Sequence, residues 1–142
     1  MIDTDLYVAY GMNTNRAGMA QRCPNAISLG AVTVPHYRFR FAYHADVVPD
    51  ATSRVHGVLW QVTPQCMESL DLLEGYPTYY TRTVVPVQWK DRMMRAWIYT
   101  MQPGKKDAHP PQHYWDCLVE GYQEHGVSHT QMIRAYHGIP TA

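Results

Sequence analysis

Short apolar stretches punctuated by Gly, Pro and Asn predict a run of strands with a few helices between them. Residues 6–10 are apolar and aromatic and stop at Gly11, after which Asn-Thr-Asn reads as a turn out of a strand. Asn15 is placed to cap a short helix over residues 16–22, closed by Pro24. Residues 26–34 and 37–43 are rich in β-branched and aromatic side chains and read as two strands. In the second, Tyr37, Phe39, Phe41 and Tyr43 share one face, so Arg38 and Arg40 are expected on a solvated one.

Residues 55–62 form another strand and run into Thr63-Pro64, an N-cap followed by proline at the first helical position. Met67, Leu70 and Leu73 follow at helical spacing, with Gly75 as the stop. Two further strands, 81–89 and 96–101, flank a charged hairpin at Lys90-Asp91-Arg92, and residues 103–106 are a surface loop. A helix over 111–124 carries Tyr114, Cys117, Leu118, Gly121 and Tyr122 on one stripe and ends at Gly126. Ser128 is expected to cap a last helix with Met132, Ile133 and Tyr136. About six strands with interspersed short helices make an α+β fold, a curled or barrel-like mixed sheet.

Composition narrows the function classes. A chain of 142 residues fits a single domain spanning 1–142. Twelve basic and twelve acidic residues give no net charge, which argues against electrostatic capture of nucleic acid or an anionic membrane. Three widely spaced cysteines, Cys23, Cys66 and Cys117, lack both a C-x-x-C pair and an even framework, so reduced thiols are expected. The acidic start of the chain lacks the basic and apolar regions of a leader, and no stretch approaches the ~20 apolar residues of a membrane span. A cytoplasmic protein is expected.

Eight histidines invite a metal reading, but Gly126 interrupts the pair His125 and His129, and Pro110-Pro111 interrupt His109 and His113. No metal site is expected. Walker, G-x-G-x-x-G and G-x-S-x-G motifs are absent from the sequence, leaving nucleotide cofactors and α/β-hydrolase chemistry unsupported.

Two segments carry chemistry. Residues 11–13, between a strand and a helix, can adopt positive φ and aim successive N–H groups at a carboxylate or a carbonyl oxygen; an ordinary strand-to-helix turn is the alternative. Glu74 sits at a helix C-terminus, where the macrodipole disfavours a negative charge by ~0.3–1 kcal/mol. Shielded by Tyr76, Tyr79 and Tyr80 it would have a raised pKa, whereas on the surface it would be an ordinary solvated carboxylate. Eleven tyrosines against two phenylalanines suit a polar cavity wall, although each could equally sit at the core edge.

In order and spacing, the segments LYVAYGMN at 6–13, VHGVLWQV at 55–62, LDLLEGY at 70–76, AWIYTM at 96–101 and PPQHY at 110–114 resemble the gamma-glutamylcyclotransferase family. The likeness extends over residues 6–136. It implies that family's small mixed β-barrel with flanking short helices. The family's Y-G-S-N loop corresponds to Tyr10, Gly11, Met12 and Asn13, with Met12 replacing the serine; backbone contacts survive that change and a hydroxyl hydrogen bond does not. The catalytic glutamate of its L-D-x-x-E-G motif falls on Glu74. Substrate-lining positions fall on Tyr7, Val8, Ala9, Tyr10, Gly11, Met12 and Asn13, on Tyr99 and on Tyr80.

The implied reaction takes a small γ-glutamyl substrate, whose own α-amine attacks its γ-carbonyl to release 5-oxoproline and an amine, with Glu74 as general base and acid. It needs neither metal nor cofactor. Tyrosine hydroxyls would hold the glutamyl head while their rings exclude water. A non-catalytic binding or interaction protein keeping the same cavity is the other reading, motivated by Met12.

Overall fold

Residues 5–140 are described by a computed structural model. The acidic start of the sequence, on which the expectation about a leader was based, therefore lies largely outside the described residues. The chain runs β1 (Asp5–Ala9), a 3-10 turn (Met12–Thr14), α1 (Arg16–Arg22), β2 (Ile27–Ala42), β3 (His44–Val62), α2 (Pro64–Glu74), β4 (Tyr80–Trp89), β5 (Arg92–Met101), α3 (Gln112–His125) and α4 (Thr130–His137).

The helix boundaries follow local chemistry. The Asn15 side chain accepts the Gly18 N–H, and Thr63 accepts the Cys66 N–H with Pro64 just inside α2. Gly75 and Gly126 end α2 and α3 in the left-handed conformation, at φ 64° and 67°. Ser128 works from one position further out than expected: His129 occupies the N-cap of α4, while Ser128 Oγ accepts the Thr130 N–H.

The sheet closes into a barrel in the order β1-β3-β2-β4-β5, with β5 returning to β1 in parallel through Tyr7 and Trp97. It has five strands, not about six. Residues 26–34 and 37–43, expected as separate strands, belong to one strand because the chain passes Pro35 through a bulge. His36, at φ 66°, there faces four residues of the partner strand, 50–53 of β3, which are the extra ones. Strand β3 is also longer than expected. Its first half contains Pro49, Asp50 and Ser53 and looks turn-like, yet it pairs with β2 from Tyr37↔Pro49 to Ala42↔His44 because the neighbouring strand supplies a ladder.

Val8, Val34, Val55, Leu59 and Ile98 fill the barrel, while Leu70, Leu118 and Met132 bring α2, α3 and α4 onto it. Arg40 departs from the solvated face expected for it. Its guanidinium reaches Asp46 at 2.8 Å and Asp107 at 2.9 Å, with the Arg40 side chain only 12% exposed. Asp46 also accepts the Met101 N–H at 2.9 Å, so this ion pair ties β2 and β3 to the end of β5. No helix among the described residues is long and apolar enough to cross a membrane.

Candidate active site

The strand-to-turn junction at residues 10–13, the last turn of α2, and tyrosines from β4, β5 and α3 converge on a cavity of about 100 Å³. Of the sequence-predicted positions, Tyr7, Val8, Tyr10, Gly11, Met12, Asn13, Glu74, Tyr80 and Tyr99 line it. Ala9 does not. It is buried in β1, opposite Val58, and does not reach the cavity wall. His44, Ala45, Leu73, Tyr79 and Tyr114 complete the wall. Nothing in the local sequence marked His44 or Ala45, and Tyr114 read as part of a helical apolar stripe and of the segment at 110–114, without a site role.

The loop is built differently from the expectation. Gly11 has φ −112°, and Met12 to Thr14 form a 3-10 turn without positive φ. The glycine is needed for space: a Cβ there would lie 2.8 Å from Tyr114 Oη and 3.4 Å from Ala45 Cβ. The Thr14 and Asn15 N–H groups bond back to the carbonyls of Gly11 and Met12, so the leading donors of the turn, on Met12 and Asn13, have no acceptor within it.

Glu74 enters from the C-terminal end of α2, one residue before the left-handed Gly75. Asn13 Nδ2 lies 3.4 Å from its Oε1 and donates to Tyr7 Oη at 3.1 Å. Burial pushes the Glu74 carboxyl up to about 7, and the more distant Arg22 charge pulls it down only partly. Tyr79 and Tyr80 provide shielding as expected, whereas the half-exposed Tyr76 is turned aside with its ring against Arg82, 4.9 Å from centroid to Cζ.

Asp71, one turn before Glu74, accepts the Tyr99 hydroxyl at 2.7 Å and pairs with Arg82 Nε at 3.0 Å. These bonds fix the end of α2 against β4 and β5.

The tyrosine hydroxyls are mostly committed to the wall. Tyr10 donates to the Tyr99 carbonyl, Tyr80 to the Ala45 carbonyl, and Tyr99 to Asp71. Their rings face the cavity, but these hydroxyl protons are already used. Tyr7 and Tyr114 differ, because each accepts a bond, from Asn13 Nδ2 and from the Ala45 N–H, and keeps its own proton to donate. Burial raises both pKa values well above the usual phenol range, so both remain donors at neutral pH. Asn13 Oδ1 is the complementary group, a buried acceptor with no partner among the described residues.

This constellation can receive a compact head group carrying both an amine and a carbonyl or carboxylate. Sites that engulf drug-sized ligands occupy ~300–1,000 Å³, so most of a longer molecule would stay in the mouth.

A family model for gamma-glutamyl cyclotransferase, AIG2-like proteins matches residues 7–117. None of the curated proteins matches the chain by sequence. Among solved structures, a gamma-glutamyl cyclotransferase superposes with a TM-score of 0.85 at 21% identity, covering 99% of this chain and 90% of that one. An uncharacterised protein from Homo sapiens gives 0.83 at 22% identity, covering 98% and 89%. YkqA from Bacillus subtilis gives 0.83 at 20% identity, covering 99% of this chain but 56% of its own.

Proposed function

From the membership of this chain in the gamma-glutamyl cyclotransferase, AIG2-like family, we propose that it cleaves a small γ-glutamyl compound by attack of the substrate's α-amine on its own γ-carbonyl. The products are 5-oxoproline and a free amine or amino acid. The observation that carries this reading is Glu74: a carboxylate with its pKa raised to about 7, facing a cavity the size of a head group.

At neutral pH the substrate's α-amine is mostly an ammonium, and it must lose a proton before it can attack. A carboxylate with a pKa near the working pH is suited both to take that proton and to return it. In the proposed sequence Asn13 Oδ1 accepts from the amine and holds it beside Glu74. The amine forms the new C–N bond at the γ-carbon, the carbonyl electrons move onto oxygen, and collapse expels the original nitrogen. Two protons leave the attacking nitrogen and two arrive on the departing one, so Glu74 finishes in its starting state.

Tyr7, Tyr114 and the N–H groups of Met12 and Asn13 are the available donors to the oxyanion and to the glutamyl carboxylate. From β1 and α3, these hydroxyls supply side-chain donors beside a loop where the Met12 side chain brings none. The tyrosine rings confine the head group, favouring the curled geometry in which amine and carbonyl meet.

The test is 5-oxoproline release by wild-type protein and Glu74→Gln over γ-glutamyl amino acids, γ-glutamylamines and glutathione. The expected result is multiple turnover by wild type on at least one substrate and a loss of ~10²–10⁴-fold in the variant, with the fold intact. Retained turnover in Glu74→Gln would remove Glu74 from the chemistry. A compound that raises the wild-type Tm without being consumed would favour the binding-protein reading.

A further inference from the structure

A second cleft, of about 670 Å³, lies between the β2–β3 ribbon and α4 and shares no lining residue with the Glu74 cavity. Its wall carries Arg38, Arg40, Arg54 and Arg134 against a single carboxylate, Asp107. The chain as a whole has no net charge, so this concentration of arginine is a local asymmetry.

The four arginines are not equivalent. Arg40 is committed to Asp46 and Asp107, and Arg38 holds a looser pair with Asp50 at 3.6 Å. Among the described residues, Arg54 and Arg134 have no carboxylate within 4.0 Å. They stand on opposite walls, Arg54 on β3 and Arg134 on α4. Thr130 Oγ1 accepts from Ser128 and keeps its own proton to donate into the same space.

We propose that this cleft binds a small phosphate-bearing anion with two or more negative charges, clamped between the guanidinium groups of Arg54 and Arg134. Guanidinium forks match phosphate oxygens in pairs, and their weak hydration makes that exchange favourable. The volume falls within the ~300–1,000 Å³ of small-molecule sites, leaving room for more than a bare phosphate. Gln131 stiffens the wall: it accepts the His56 N–H and donates to the His56 carbonyl and to Tyr122 Oη. Burial and then the Arg54 charge lower the His56 pKa, in keeping with positive potential along this wall.

The experiment is titration of the ¹⁵N-labelled full chain with pyrophosphate and, separately, glycerol phosphate, at physiological and constant ionic strength. Saturable amide shifts are expected at Arg54, His56, Gln131 and Arg134. The double variant Arg54→Gln/Arg134→Gln should bind at least about tenfold more weakly, whereas Arg95→Gln, an exposed arginine outside the cleft, should bind normally. Stronger binding of the ester would identify an organic phosphate as the ligand, and stronger binding of pyrophosphate a free polyphosphate. Shifts that do not saturate, that map elsewhere, or that weaken equally in Arg95→Gln would overturn the proposal, irrespective of whether 5-oxoproline is formed at Glu74.

Discussion

Glu74→Gln is expected to make the protein more stable at alkaline pH, and the size of the gain follows from burial. In the unfolded chain this carboxyl titrates at its ordinary value of 4.5, and in the fold at about 7. A raised carboxyl pKa means that the folded state binds the proton more tightly. Its relative stabilisation is therefore complete below pH 4.5 and is lost as pH rises to 7. At ~1.4 kcal/mol per unit, full ionisation costs the fold about 3 kcal/mol. Between pH 5 and pH 8 the linkage accounts for about 2–3 kcal/mol of that.

A glutamine of the same size carries no such cost. Urea unfolding of both proteins at pH 5 and pH 8 should show the advantage of Glu74→Gln growing by about 2–3 kcal/mol across that interval. Taking the difference between the two pH values cancels any change in packing. A stability difference between the proteins that is the same at both pH values would refute a raised carboxyl pKa, and with it the basis for placing the proton shuttle at this residue.

The remaining stability predictions concern the cavity and its support. Gly11→Ala should displace Tyr114 Oη from the Ala45 N–H, 2.9 Å away, and lower stability by about 1–3 kcal/mol, with Tm falling by ~4–12 °C in a thermal scan. An unchanged Tm would show that the turn moves instead of the tyrosine. Asp46→Asn keeps an acceptor for the Met101 N–H but leaves the 12%-exposed Arg40 with one carboxylate, Asp107, beside the Lys105 carbonyl. A loss of about 3 kcal/mol is expected by urea titration, and an unchanged midpoint would mean that Asp107 is sufficient.

Where local chemistry decides structure, the sequence was readable. Asn15, Thr63-Pro64, Gly75 and Gly126 each perform the capping or terminating role that their residue type suggests. Glu74 was legible for a similar reason, because a carboxylate at a helix C-terminus is locally unfavourable and calls for another explanation.

The larger failures involve partners that a local pattern does not show. The strand at residues 44–54 owes its conformation to β2, not to its own composition, and Arg40 is buried by Asp46 and Asp107, 6 and 67 residues away along the chain. His44 and Ala45 reach the cavity because the reversal at Tyr43, φ 69°, places the start of β3 there. Periodicity distinguishes the faces of a strand, but it does not identify what folds over them.

The commitment of the Tyr10, Tyr80 and Tyr99 hydroxyls to carbonyl and carboxylate partners has a bearing on how the pocket can evolve. A receptor whose polar side chains wait for ligand can trade one specificity for another through single substitutions, at little cost to the scaffold. Here those side chains also fasten the end of β1 to β5, β4 to β3, and β5 to α2, so their loss would loosen the scaffold before it altered selectivity. Diversification is therefore channelled outward to the mouth, where Leu73 and Tyr79 remain partly exposed. On the proposed activity, a different leaving group would be met at this mouth while the inner chamber kept its present bonds.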